Sequence, residues 1–219
     1  MKWLGIALAA VVAGFVLYKI AYPTYSCRYR MTVNVEVDGQ LRSGSSVIEF
    51  WASKRPRVPG SILMKTGVVG EAVFVDLGGQ RNIVALLASG PYAENTGFPE
   101  GVVNSHFKLN LVDDRHAASL SALRGRWELP SQDLPTLVTF SNRDDPATVR
   151  LLRADQLEQF FGSGVRWRGI VIEMTTDPAT HIIESRLPWV AKLTAGLFGS
   201  SVSGSPGKFT LNGPYFKRS

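Results

Sequence analysis

The first hydrophobic pattern along the chain is a nearly unbroken apolar run close to its amino terminus. Residues 3–18 carry no charged side chain, and the run resumes after Lys19 for three further residues. About 20 apolar residues are enough to cross ~30 Å of hydrocarbon as a helix, and Pro23 would end such a helix. The pattern therefore predicts a single transmembrane anchor over residues 1–23.

A cleavable signal peptide is the alternative interpretation of the same run. Residues 24–26 tolerate a cleavage point before Cys27. The apolar core of a signal peptide usually spans about 7–15 residues, however, and this run is longer. The sequence favours the anchor and leaves cleavage open.

The charges that flank the run bear on its orientation. Lys2 favours a cytoplasmic amino terminus, whereas Lys19, Arg28 and Arg30 count in the opposite direction under the positive-inside rule. Export signals also begin with a short charged start and one apolar run. We therefore expect a protein that crosses the inner membrane once, with its domain outside the cytoplasm.

Two β-hairpins are predicted in the first half of the chain. Apolar and polar residues alternate over 31–37, which is the period of a strand with one buried face. Asp38-Gly39 is a turn signal, and the apolar residues of 47–51 belong to the returning strand. In 71–88, Gly78-Gly79 separates two apolar runs and adopts positive φ without a Cβ clash.

Helix and strand patterns mix along the rest of the chain without a regular βαβ order. We predict a long loop over 89–105, strands over 134–142 and 165–175, and short helices over 116–125 and 154–162. The fold class is therefore α+β, with an N-terminal single transmembrane helix followed by a mainly antiparallel, hairpin-based sheet and short helices.

Capping residues refine the helix predictions. In the second short helix, Asp155 and Glu158 fit a capping box, and Gly162 follows as the C-terminal residue. The tetrapeptide Asp-Pro-Ala-Thr occurs at both 145–148 and 177–180, where Asp and Pro suit caps and turns without any ligand. Apolar spacing predicts that the second copy caps a helix and that the first forms a turn into a strand.

The C-terminal segment allows two outcomes. Residues 194–219 begin as a Gly/Ser-rich linker and end in aromatic and basic residues, after an α+β domain over 24–193. Its apolar residues are Phe209, Leu211, Tyr215 and Phe216. Docking of these residues as a terminal strand and a free tail are both open.

Composition and charge narrow the class of function. The chain of 219 residues is 45% hydrophobic and 19% charged, which is ordinary for a folded protein. Its net charge is +6, and setting aside Lys2 and Lys19 leaves 22 basic against 18 acidic residues, a balance too mild to predict nucleic-acid binding. Cys27 is the single cysteine, so an intrachain disulfide is impossible.

The candidate binding residues are basic. They are Lys54, Arg55 and Arg57 close to the predicted anchor, and Arg166 and Arg168 on one face of a predicted strand. Each Lys or Arg beside an anionic leaflet contributes about 1 kcal/mol of attraction. The expected partners are the lipid bilayer and an envelope protein; solubilising surface charge is the plainer interpretation, and the oligomeric state is open.

One cluster is a candidate for catalysis. Asp113, Asp114 and His116 combine carboxylates with an imidazole, and the segment 89–105 would serve as a lid over them in a membrane-tethered hydrolase. That hypothesis requires the side chains to converge in a concave pocket. No metal or cofactor is predicted, because the three histidines lack ligand spacing and no complete nucleotide-binding motif is present.

Three segments, 29–50, 70–78 and 137–190, resemble an uncharacterised family of small membrane-anchored bacterial proteins. The resemblance implies a bacterial origin and a membrane anchor, and it implies no particular activity or site residue. Together these observations predict a membrane-anchored envelope protein whose domain binds a partner protein or the membrane surface without catalysis. The hydrolase is the alternative.

Overall fold

The structure is a computed structural model that describes residues 2–56, 63–194, 201–203 and 210–219. The helices of this part are α1 (Lys2–Ala21), α2 (Phe98–Phe107), α3 (Asp114–Ser119), α4 (Leu157–Phe161), α5 (Ile183–Arg186), α6 (Val190–Thr194) and α7 (Gly213–Phe216). Its strands are β1 (Thr24–Val37), β2 (Gln40–Lys54), β3 (Met64–Glu71), β4 (Val73–Gly78), β5 (Arg81–Ser89), β6 (Arg126–Glu128), β7 (Pro135–Phe140), β8 (Val149–Leu152), β9 (Val165–Thr175), β10 (Ser201–Ser203), β11 (Thr210–Asn212) and β12 (Lys217–Arg218). The fold is α+β, with two main antiparallel sheets and short helices.

The N-terminal apolar run forms α1, a helix of 20 residues that ends before Pro23. It has no acidic residue in its first turn and Lys19 in its last. Over the residues whose side chains the structure describes, no helix is both long and apolar enough to cross a membrane. Within α1, the side chains of Lys2, Leu4, Gly5 and Leu8 lie outside that described set.

The larger sheet has the strand order β12-β3-β2-β1-β9-β6. Its centre is the first predicted hairpin, in which β1 pairs with β2 from Thr24 opposite Ser53 to Val37 opposite Gln40. Asp38 and Gly39 join the strands, both at positive φ (51° and 79°), as a two-residue hairpin turn requires. The predicted alternation is confirmed, because every second residue of β1 from Cys27 onward is buried.

The smaller sheet has the order β4-β5-β7-β8. The second predicted hairpin is confirmed, since β4 pairs with β5, Gly78 (φ 92°) ends β4 and Gly79 (φ 63°) follows it in the turn. The seven interior residues of β5, 82–88, are all buried, so this strand is covered on both faces.

Three layers result from this burial. One face of the smaller sheet packs against the larger sheet in a single core that includes Tyr29, Phe50 and Leu87. The other face is covered by α5, α6 and the C-terminal segment. Of the predicted docking residues, Leu211, Tyr215 and Phe216 are buried and β12 pairs with β3, which supports the docked alternative; Phe209 lies outside the described residues.

The prediction of a long loop over 89–105 is wrong for its second half, where α2 begins at Phe98. Phe98, Val102 and Val103 are buried against the core. The Gly- and Pro-rich composition of this segment favoured a loop in the sequence analysis. Pro99 is nevertheless compatible with α2, because it stands in the first turn, where the missing N–H donor of proline costs nothing.

The predicted helix caps also required correction. Asp155 forms an ion pair with Arg153, and the N-cap of α4 is Gln156, so the capping box is wrong, whereas Gly162 follows α4 at φ 97° as predicted. The helix expected over 116–125 is shorter: α3 begins at Asp114, and a 3₁₀ turn, Leu120–Ala122, follows it.

The two Asp-Pro-Ala-Thr copies differ from the prediction in one case. Asp145 accepts a hydrogen bond from the Ala147 amide (2.9 Å) in a 3₁₀ turn that leads into β8, as predicted. Asp177 caps no helix and instead pairs with Arg30 of β1. The amides at the start of α5 donate to the buried carboxylate of Glu71, which takes the capping role that the sequence assigned to Asp177.

Candidate functional site

The candidate site lies at the end of the larger sheet next to α1, where β1 begins, β2 ends and β3 begins; we name it the α1 end. The Lys54 amide donates to the Pro23 carbonyl (3.1 Å), which holds the end of β2 beside the terminus of α1. The Arg55 amide donates to the Leu63 carbonyl (2.8 Å), which brings the start of β3 to the same place.

A folded loop and the start of α3 complete the site. The Asn110 amide donates to Nδ1 of His116 (2.8 Å), and Oδ1 of Asn110 accepts from the Val112 amide (3.2 Å). Asp113 is the N-cap of α3 and accepts from the Arg115 amide (2.8 Å). These local bonds fix the loop from Val112 to Arg115, and the ion pair between Asp114 and Lys54 joins it to the end of β2.

The two segments enclose an open cleft of about 560 Å³, which we name the α1 cleft. Its lining includes Tyr22, Lys54, Arg55, Val112, Asp114 and Arg115. It thus combines three basic residues with the carboxylates of Asp113 and Asp114, and it adjoins the last residue before Pro23.

Most of these charged side chains already form ion pairs with one another. Lys54 pairs with Asp114, and Arg115 contacts both carboxylate oxygens of Asp113 (3.3 and 3.1 Å). The hydrogen bond from the Arg115 side chain lowers the pKa of Asp113, and the same bond raises the pKa of Arg115. Across the residues described here, no ion pair is recorded for the guanidinium of Arg55, which is exposed.

The cleft also presents apolar surface to solvent. Val112 is 74% exposed, whereas Leu109 and Leu111 pack partly against the core. Tyr22 is half-buried and lines the same cleft as Val112. The sequence analysis did not single out Val112. The alternation of residues 109–112 could have indicated it, because Leu109 and Leu111 face inward and the residue after them therefore faces outward.

The structure does not bring the predicted catalytic residues into one pocket. Asp113 and Asp114 line the α1 cleft with their carboxylates paired to Arg115 and Lys54, while His116 is bound to the Asn110 amide and is not part of the lining. The predicted lid, 89–105, lines clefts elsewhere and not this one. Of the three side chains that the hydrolase hypothesis needs together, the α1 cleft is thus lined by two, Asp113 and Asp114.

The predicted basic residues divide into two groups. Lys54 and Arg55 lie in the α1 cleft, and Arg57 lies outside the described residues. Arg168 donates to Glu36 (3.0 Å), and Arg166 stands opposite Glu36 in the β1–β9 register, near the hairpin turn at the other end of β1. Only the first pair belongs to the candidate site.

A second cleft, of about 460 Å³, lies between α2 and β6 and was not predicted. The ring of His106 stacks on that of Trp127, with centroids 3.8 Å apart and planes 5° from parallel. Phe98 and Leu129 contribute buried apolar side chains to it. Since its residues come from separate elements, no local pattern pointed to it.

No protein-family model, curated protein or solved structure matches the chain. In the part of the chain that the structure covers, no three His, Cys, Asp or Glu side chains are grouped as metal ligands. The α1 cleft is the place where the residues that the sequence suggested for binding and for catalysis meet, since Lys54 and Asp114 form an ion pair there.

Proposed function

We propose that this protein is a single-pass membrane protein of the bacterial envelope whose domain binds the bilayer surface through the α1 end. The observation that carries the proposal is the combination of Arg55, whose guanidinium has no ion pair among the described residues, and an exposed apolar side chain, Val112, in one cleft beside the end of an apolar helix. The proposed role is binding and not catalysis, which the separation of His116 from the cleft supports.

The character of α1 supports an anchor. Its exposed apolar side chains include Trp3, Val11, Leu17 and Ile20 at 84%, 69%, 66% and 72% exposure, and they lie on all sides of the helix. A helix that is apolar all round belongs in a protein core or in hydrocarbon, and soluble proteins rarely expose apolar patches of this extent. Lys19 can extend its ammonium to the headgroups from the last turn.

The short connection between α1 and β1 supports a position of the α1 end close to the membrane. Tyr22 and Pro23 are the two residues between the helix and the strand, and two extended residues span at most about 7 Å. If α1 is in the bilayer, the α1 cleft therefore lies at the level of the lipid headgroups. Arg55 then meets phosphates and Val112 meets the upper acyl region, as in interfacial binding.

The proposed location is the inner membrane with the domain outside the cytoplasm. Lys2 at the amino terminus supports this orientation, and the resemblance to membrane-anchored bacterial proteins supports the compartment. Labelling of L41C, an exposed position at the far end of β2, by a membrane-impermeant maleimide in intact spheroplasts tests it. Labelling only after the cells are lysed would place the domain in the cytoplasm.

Site-specific fluorescence in nanodiscs tests the surface contact. V112C and L41C place one dye at the α1 end and one at the far end of β2, where Leu41 is 64% exposed. The native Cys27 is buried and does not compete for label. We expect a blue-shifted dye that brominated lipids quench at position 112, and a water-like spectrum at position 41.

Variants of Arg55 and Val112 separate the contributions of charge and of apolar contact to binding at the bilayer surface. A dye attached to M64C reports on the same contact, because Met64 also lines the cleft. We expect V112D and R55Q each to reduce the quenching of this dye by brominated lipids. L41D and R150Q are matched controls at exposed positions outside the cleft and should leave it unchanged. A water-like dye at position 112 in lipid-embedded protein would contradict the proposal.

A further inference from the structure

The α1 cleft carries charges of both signs, which is unusual for a simple anionic-membrane contact. Lys54, Arg55 and Arg115 line it together with Asp113 and Asp114. An anionic headgroup would place its charge beside two carboxylates as well as beside the cations. The presence of both signs of charge in one cleft suits a ligand that is itself a zwitterion.

We propose that the α1 cleft binds the headgroup of a phospholipid that carries both a phosphodiester and a primary ammonium group, of the phosphoethanolamine type. The phosphate binds Arg55 and Lys54, and the ammonium binds Asp114. This inference rests on the proposed function, because it requires the cleft to face the bilayer, and it names the lipid that the surface contact selects.

The existing ion pair between Lys54 and Asp114 can be replaced by contacts to the headgroup. Lys54 and Asp114 form a contact in which their side chains are 38% and 59% exposed, so both remain accessible to a ligand. Exposed pairs of this kind contribute little to stability, so separating them costs little. A zwitterion that enters between them gives each partner a new opposite charge, and Arg55 adds a charge-assisted hydrogen bond to phosphate.

The residues of the cleft favour ethanolamine over choline. A primary ammonium donates three hydrogen bonds, which a carboxylate such as that of Asp114 accepts, whereas a quaternary ammonium donates none. Quaternary ammonium groups are recognised by cages of aromatic rings. Among the described residues of the lining, Tyr22 supplies the one aromatic ring, which is too few for a cage.

Val112 and Met64 complete the site for a lipid. Both are apolar residues of the same cleft, and Val112 is 74% exposed. A headgroup held at Arg55 and Asp114 leaves its glycerol and first acyl carbons next to these side chains. The volume of about 560 Å³ lies within the usual range of small-molecule sites, roughly 300–1,000 Å³.

The test is lipid retention by the full chain, measured by native mass spectrometry after release from nanodiscs. The nanodiscs contain equal amounts of phosphatidylethanolamine, phosphatidylcholine and phosphatidylglycerol with identical acyl chains. We expect phosphatidylethanolamine to be retained at least about threefold more than each of the other two lipids. A difference of under about 1 kcal/mol in binding free energy produces this ratio, and one charge-assisted hydrogen bond is enough to supply it. D114N should abolish that preference, D114E should keep it, and R55Q should lower retention of all three lipids.

Matched variants control for surface charge and folding. D155N removes a carboxylate from an exposed Arg–Asp pair that does not line the cleft, and R150Q removes an exposed arginine. Neither should change lipid retention. Equal melting temperatures across the set exclude a loss of folding.

Three results would overturn the inference. Equal retention of the ethanolamine and choline lipids would mean contact without headgroup recognition, and a phosphatidylglycerol preference that D114N leaves intact would mean simple charge attraction. Retention that R55Q does not alter would place the lipid elsewhere. In each case the dye at position 112 still reports surface contact, so failure of this inference is distinguishable from failure of the proposed function.

Discussion

The thiol of Cys27 lies in β1 opposite Phe50, in the core between the two sheets. It is 6% exposed, and burial, with a smaller contribution from the carboxylate of Glu49, raises its pKa to about 12. Because the thiolate is the reactive form, a thiol with this pKa and burial is protected from reagents while the protein is folded.

We therefore predict that Cys27 of the native chain does not react with an aromatic disulfide reagent at mildly alkaline pH and reacts fully after unfolding in guanidinium chloride. Absorbance of the released thiolate measures the reaction. L41C supplies an exposed thiol outside the α1 cleft as the positive control. Reaction of Cys27 in the native chain at the rate of L41C would show that β1 opens readily at this position.

Asp145 and Asp177 begin the two copies of one tetrapeptide but have different structural roles. Asp145 caps a 3₁₀ turn, and substitution of a capping residue by alanine costs about 0.5–2 kcal/mol. Asp177 makes an exposed ion pair with Arg30, a class of contact worth about 0–1 kcal/mol. D145A should therefore lower the free energy of unfolding more than D177A.

Unfolding of the full chain by urea, an uncharged denaturant, in detergent micelles measures both variants. Added salt should reduce the loss of unfolding free energy caused by D177A, because screening weakens an exposed ion pair. The loss caused by D145A should not change with salt. A larger loss in D177A would mean that its pairing with β1 is essential to the fold.

At the scale of elements, the approach of β2 to β4 depends on a glycine. A Cβ atom on Gly44 would lie 2.1 Å from the carbonyl oxygen of Phe74, which belongs to the backbone of β4 and cannot rotate away. Larger side chains in such close contacts typically cost about 1–3 kcal/mol. The packing of the two sheets at this point thus requires the absence of a side chain.

We predict that G44A destabilises the protein by about 1–3 kcal/mol through this overlap, seen as a lower guanidinium midpoint. G101A is the matched control, because Gly101 lies in α2 and a Cβ there meets nothing within 4 Å. Alanine in a helix is favoured over glycine by up to about 1 kcal/mol, so G101A should be neutral or stabilising. Equal effects of both variants would contradict the close approach.

At the scale of the whole molecule, the end of the chain joins the layers together. Arg218 donates to the carbonyls of Leu87 in β5 (2.7 Å), Thr96 before α2 (2.6 Å) and Pro214 (3.1 Å). Its guanidinium is largely buried, and this burial lowers its pKa. The docked C-terminal segment is therefore held by a buried charge as well as by its aromatic residues.

We predict that R218Q lowers the free energy of unfolding by roughly 2–3 kcal/mol, since the hydrogen bonds from a charged group to three backbone carbonyls are lost. R153Q, which removes an exposed arginine paired with Asp155, should have little effect. Chemical unfolding measures the loss, and limited proteolysis followed by mass analysis should show earlier cleavage near the C-terminus. A chain that unfolds like the wild type would mean that the aromatic residues alone hold the segment.

Much of the fold was predictable from local patterns. The period of two over 31–37, the turn at Asp38-Gly39 and the glycines at 78 and 79 each specify a hairpin, because strand alternation and positive φ depend on residues adjacent in sequence. The end of α4 at Gly162 followed from the same local rule. The candidate site was predicted in part: Lys54, Arg55 and Asp114 were named, but in separate hypotheses.

What the sequence by itself determined is therefore the set of elements whose geometry depends on near neighbours: the apolar helix, the two hairpins and the turn at Asp145. Only the tertiary structure decided that Glu71, 111 residues away, binds the first amides of α5, and that the carboxylate of Asp114 meets Lys54. The physical reason is that a charged or polar side chain takes whichever partner packing brings within hydrogen-bonding distance, and that distance is set by the assembly of the sheets and not by separation along the chain.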